Sequence, residues 1–165
     1  MIKAQDIVVL VSLIGENSVS SYKKLSGRVH LSVSETHAAV KRLEEAGLVN
    51  SDRRLINRNV SEFLTHALRY MFPFKQSGFL AKGMPTSYAA PVAENAFAST
   101  GAVPVWRGSK GNVYGMAFEP IYPSATEVAI QDPVLYDRLA LVDMLRGGRL
   151  RERIFAQNKF NDILK

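Results

Sequence analysis

The 165-residue chain has no cysteine. That excludes disulfides, thiolate nucleophiles and cysteine-based zinc sites, and it fits a reducing compartment. It also lacks a long apolar run. The most hydrophobic stretch, Ile7 to Ile14, falls far short of the roughly 18 residues of a membrane span. An acid, Asp6, precedes it and no small-residue cleavage site follows, so it reads as a core helix rather than a leader. The expectation is a soluble, cytoplasmic protein with no membrane partner.

The phosphate-binding signature Gly-x-x-x-x-Gly-Lys-Ser/Thr is missing, as is a Gly-x-Ser-x-Gly nucleophile elbow. The three histidines, His30, His37 and His66, share no ligand spacing with carboxylates. Gly108 and Gly111 form a Gly-x-x-Gly, but it sits between two apparent strands, where it reads as a plain loop. The sequence therefore points away from an enzyme, with no catalytic residue, cofactor or metal expected.

Base is in excess. The net charge is +6 and the pI about 9.7, which favours polyanionic partners without requiring them. The excess is uneven. Residues 1–75 hold eleven Lys and Arg against seven Asp and Glu, and residues 76–165 hold ten against eight. Hydrophobic residues make up 47% and charged residues 22%, an ordinary globular composition.

Hydrophobic spacing predicts a helix from Lys3 to Ile14, burying Ile7, Leu10, Val11 and Ile14 on one face. A second helix is predicted from Ser20 to Gly27, capped by Ser20 or Ser21, with Tyr22 and Leu25 inward. A third begins at Ser32. Ser32 and Glu35 have the spacing of a capping box, and Gly47 stops the helix. Its predicted inward stripe is Val33, Thr36, Val40 and Leu43 with Ala39 and Ala46. "LVNSDRRLI" then reads as a small basic hairpin, and Val60 to Met71 as a fourth helix burying Phe63, Leu64, Ala67, Leu68 and Met71.

Beyond residue 71 the composition shifts. The segment to Pro104 is rich in proline and glycine, which argues against long regular elements. Val103–Arg107 and Val113–Phe118 read as a β-hairpin around Gly108–Gly111. Asp132 and Pro133 open a helix that Gly147 closes, and a last helix follows. The fold class is thus mainly α with small β elements. Residues 1–71 form an N-terminal winged helix-turn-helix, and residues 72–165 an α+β C-terminal extension with a β-hairpin and two terminal helices. The many aromatics after residue 71 are expected to form a second small core, the alternative being a pocket for an effector or a partner protein.

Three short helices, the third capped and polar outside, followed by a basic hairpin, have a physical logic. The first two fix the third so that its outward residues enter the major groove, while the hairpin meets a phosphate strand. "SSYKKLSGRVHLSVSETHAAVKRLEEAGLV", with Leu31-Ser32 and the closing Arg42 to Val49, resembles the helix-turn-helix of MarR-like bacterial regulators. "LTHALRYMFPFKQSGFLAKGMPTSYAAP", the Pro-Val-Trp hairpin and "DPVLYDRLALVDMLR" resemble the C-terminal part of a group of small bacterial winged-helix proteins. The resemblance implies a sequence-specific, duplex DNA-binding transcriptional regulator.

On helix three, Ser34, His37, Ala38, Lys41 and Arg42 point away from the inferred core and are the candidate DNA contacts, joined by Arg53 and Arg54 of the hairpin. Each also reads as a solvated surface residue. Glu35 is expected to be taken up by the cap, and Arg58 to pair with Glu62. A homodimer is expected, because palindromic sites suit two-fold proteins. Val134 and Leu141 form a stripe left over for a second chain. The other reading is a protein–protein module, antitoxin-like or an operon partner, whose C-terminal half holds a partner protein and whose DNA binding is secondary.

Overall fold

The computed structural model describes residues 1–99 and 101–165. Helix α1 (Ala4–Ser12) is buried all round: every residue from Asp6 to Ser12 is covered. The sequence spacing predicts one apolar face only. The second face is covered by a helix more than a hundred residues later. Around α1 pack α2 (Tyr22–Val29) and α3 (Val33–Glu45), both capped by serine as the sequence predicts. Ser21 accepts a hydrogen bond from the Lys24 amide, and Ser32 from the Glu35 amide. Helix α3 buries Thr36, Ala39, Val40 and Leu43, whereas Val33 and Ala46, expected inside, are exposed.

Gly47, with φ +72°, ends α3 by turning the chain left-handed, and the Leu48 amide returns to the Leu43 carbonyl. The wing that follows is minimal. It has one antiparallel bridge, Val49 to Leu55, around a turn closed by the Arg53 amide on the Asn50 carbonyl. Next, α4 (Asn57–Glu62) runs through a π-helical turn (Phe63–Ala67) into α5 (Leu68–Met71). Val60, Leu64 and Leu68 are buried here. They are four residues apart, and the wide π turn keeps them on the core side. Met71 is exposed, and Phe63 and Ala67 only half-buried, against expectation; His66 is exposed as well.

Strand β1 (Gln76–Pro85) lies where the sequence predicts loop. It pairs antiparallel with both β2 (Pro104–Arg107) and β3 (Val113–Phe118). The last two strands pair with each other in parallel, Pro104 with Met116 and Val105 with Ala117, so the three close on themselves. The expected β2–β3 hairpin is therefore corrected: its strands are in place, but they pair with each other in parallel, and each takes β1 as its antiparallel partner. Gly83 makes the tight closure possible, since a Cβ there would lie 2.0 Å from the Trp106 carbonyl oxygen.

Helix α6 (Ala125–Gln131), absent from the sequence reading, leads into α7 (Pro133–Gly147) and α8 (Leu150–Ile163). Asp132 caps α7 through the Val134 and Leu135 amides, with Pro133 at the first turn. Leu135, Leu139, Val142 and Leu145 are buried, and so is Leu141, at 3% exposure. The stripe reserved for a second chain is thus corrected: only Val134 is exposed.

Helix α7 packs on α1, and one continuous hydrophobic cluster runs from Ile7 to Leu164. The compositional shift at residue 71 marks no break in the core. Polar ties cross it too. Arg138 donates to the Val11 carbonyl at 3.0 Å. Arg28 donates to Asp132, to Glu16 and to the Ser12 carbonyl. Inside the C-terminal half, fully buried Asp143 accepts from Thr86 Oγ1 and Trp106 Nε1, both at 2.7 Å, and pairs with Arg146 at 2.8 Å. The expected aromatic core is partial: Trp106 and Phe118 are buried, but Phe79 and Tyr114 face out.

Candidate nucleic-acid interface

Helix α3 presents Ser34, His37 and Lys41 to solvent, with Ala38 half-buried beside them. Its start is rigidly held. The Ser32 amide and hydroxyl both donate to one Glu35 oxygen, at 3.0 and 2.7 Å. Those bonds hold the Glu35 carboxyl below its usual range, so its charge is directed at the helix end rather than at the open face.

The α3 face is tied to α2 and the wing through Tyr22. The His37 ring lies against the Tyr22 ring, with centroids 4.8 Å apart and tilted by 54°. The Arg53 guanidinium sits 5.9 Å from the same ring. Arg53 has φ +60° at the tip of the wing, a left-handed conformation that costs a non-glycine residue energy. Its carbonyl is held by the Val19 amide at 3.2 Å. The wing is thereby fastened to the loop before α2, and its tip stands next to the outer face of α3.

The helical period of α2 puts Tyr22 inward and carries no sign of this link. Tyr22 is half-buried at the first position of α2, and nothing in its spacing reveals a ring lying between a histidine and an arginine from two other elements.

Lys23, Lys24, Lys41, Arg53 and Arg54 are exposed and form no ion pair among the described residues. Arg54 contributes its amide to Asn50 Oδ1, which fixes the turn and leaves the side chain outside. The nearby acids are few: Glu44 and Glu45 lie at the far end of α3, and Asp52 at the wing tip.

Arg42 is placed differently from the other candidates. Its Nε and Nη2 donate to the two carboxylate oxygens of fully buried Asp6, at 2.8 and 2.6 Å. Asp6 also accepts from the Lys3 amide at 2.7 Å. The guanidinium is spent on fixing α3 to α1 and is corrected from a DNA contact to a structural one. Arg28, part of the basic excess, is likewise committed inward, whereas Arg58 pairs with Glu62 at 3.2 Å as the spacing predicts. Of the histidines, His30 contacts Gln131 at 2.9 Å, and among the described residues no group of acids and histidines is arranged to hold a metal ion.

The arrangement is a helix whose polar outer face carries Lys41, flanked by a turn that carries Arg53 and Arg54. Residues 9–50 match the family model of winged helix-turn-helix DNA-binding domains. The match spans α1 from Val9, all of α2 and α3, and the start of the wing. No curated relative and no solved structure matches the chain. No helix among the described residues is long and apolar enough to cross a membrane.

Proposed function

We propose that this protein is a transcriptional regulator of the MarR-like kind, acting by occupancy of duplex DNA rather than by catalysis. Helix α3 enters the major groove, where Ser34, His37 and Lys41 reach base edges and Ala38 packs on a thymine methyl. Arg53 and Arg54 meet phosphates of the flanking strand, with Lys23 and Lys24 of α2 beside them. The observation that carries this reading is the set of five cations on α2, α3 and the wing that stand outside every ion pair among the described residues, one of them, Arg53, joined to His37 through the Tyr22 ring. A homodimer fits it, because one short helix reads few base pairs and two-fold sites double the readout.

The test is a titration of a labelled promoter fragment at several salt concentrations. Five neutralised phosphates give a slope of log K against log salt of about −4.5. Absence of binding to any duplex at about 50 mM salt refutes the reading, since non-specific affinity is strongest there.

One observation favours a partner protein as a second activity. Phe79, Leu80 and Tyr114 are 45, 50 and 68% exposed on the small sheet.

A further inference from the structure

A cavity of about 770 Å³ opens between the small sheet and the start of α8. That is the size of a small-molecule site. Its floor is apolar. Phe74 stacks on Phe118, with centroids 4.0 Å apart and planes within 20°, and Met116 and Leu150 continue the surface. Phe74 fits there because the end of α7 is glycine: a Cβ at Gly147 would come within 2.7 Å of the Phe74 ring. Phe97, held edge-on by Phe155 and Tyr88, walls one side.

The rim is cationic. Arg149 and Arg151 line the cavity at the first turn of α8, and both side chains are outside every ion pair among the described residues. The one acid in the lining is Glu152. Its carboxylate accepts from the Arg149 amide at 2.9 Å and closes the helix end, and it forms no ion pair with either arginine among the described residues. Ser87 lines the inner end. It is 2% exposed and holds φ +52°, a strained conformation for serine.

We propose that this cavity binds a small amphipathic anion, a rigid ring system carrying one carboxylate or sulfonate. The ring lies on the Phe74–Phe118 floor, and the anionic group is taken by Arg149 and Arg151. A wholly apolar ligand leaves two arginines desolvated and unpaired. A polar ion without a ring leaves the aromatic floor wet. The site lies outside α2, α3 and the wing, so its occupancy is independent of the reading of those elements.

The experiment is a fluorescence titration of the full chain with two probes of similar shape. They are the anion 1-anilinonaphthalene-8-sulfonate and the uncharged N-phenyl-1-naphthylamine. Saturable binding of one anion per chain is expected, at least tenfold tighter than the neutral probe. Arg149→Glu with Arg151→Glu should weaken the anion at least tenfold and the neutral probe less than twofold. Both positions are exposed, and an unchanged denaturation midpoint confirms folding. Leu150→Asp should weaken both probes, whereas Phe79→Ser, at an exposed position of the sheet outside the lining, should leave both unchanged. Binding that fails to saturate, shows no preference for the anion, survives the double charge reversal or vanishes in Phe79→Ser overturns the proposal.

Discussion

Arg42 holds Asp6 in a two-bond fork across 36 residues of sequence, and Asp6 is completely buried. A pair with one member fully enclosed is hard to break, because removal of the cation strands a charge in the core. Arg42→Ala should therefore destabilise the protein by about 3 kcal/mol, measured by urea denaturation. Where the variant is still folded, the salt slope of DNA binding should match that of the parent. A variant of full stability with a slope shallower by about one would return Arg42 to the DNA surface.

The Arg42 placement shows which signals a sequence carries. Local rules were readable: the Ser32–Glu35 box, the Asp132–Pro133 start of α7, the stop at Gly47. Each depends on residues within a few positions of one another. The Asp6 partnership, the second covering of α1 and the burial of Leu141 depend on elements far apart in the chain, and no spacing records them. Strand β1 was unreadable for another reason. Gly78 and Gly83 and the terminal Pro85 look like loop residues, yet Gly78 with φ +70° lies where the β1–β3 register shifts, and Gly83 permits the close approach to β2. At the interface the exposed positions were legible from the helical period. The support from Tyr22 was not.

That support can be separated from charge. Tyr22→Ala removes the ring between His37 and Arg53 but no cation. It should weaken DNA binding about tenfold, or about 1.4 kcal/mol, with the salt slope unchanged. Tyr22→Phe should bind like the parent. Equal losses in both variants would assign the effect to the phenolic hydroxyl instead of the ring.

Base-reading and phosphate-meeting groups should also respond differently. His37→Ala or Lys41→Ala should shift the preferred sequence in a selection from random duplexes. Arg53→Ala with Arg54→Ala should weaken all sequences alike. The reverse pattern would turn the docking around, placing the wing in the groove.

Asp143 gives the fold a pH dependence of its own. Burial pushes its carboxyl up to about 6, against the pull of Arg146, Thr86 and Trp106. In the unfolded chain it titrates near 3.8. Between those values the folded state binds more protons, so this contribution to stability is full below pH 4 and lost as pH rises through about 6. The loss is roughly 3 kcal/mol. Other carboxylates titrate in the same window, so the quantity to measure is the difference from Asp143→Asn. Parent stability minus variant stability should fall between pH 4 and 7 and stay level above. A difference that rises with pH would mean that the three donors outweigh burial.

Two glycines make opposite predictions for one substitution. Gly83 is enclosed by backbone: an added Cβ would lie 2.0 Å from the Trp106 carbonyl oxygen and 2.7 Å from its carbon. No flexible side chain can yield there, so the β1–β2 pairing must open. Gly83→Ala should cost at least about 3 kcal/mol, at the severe end for point substitutions. Gly27 lies in the interior of α2, exposed, with nothing within 4 Å of an added Cβ. Alanine there restricts the unfolded chain and suits the helix, so Gly27→Ala should stabilise by about 0.5–1 kcal/mol. Both changes add one methyl group, and thermal denaturation reads both. A tolerated Gly83→Ala would show that β1 does not approach β2 as closely as described. A destabilising Gly27→Ala would show that α2 makes a contact at that position, most directly with a second copy of the chain, and the loss would then vary with protein concentration.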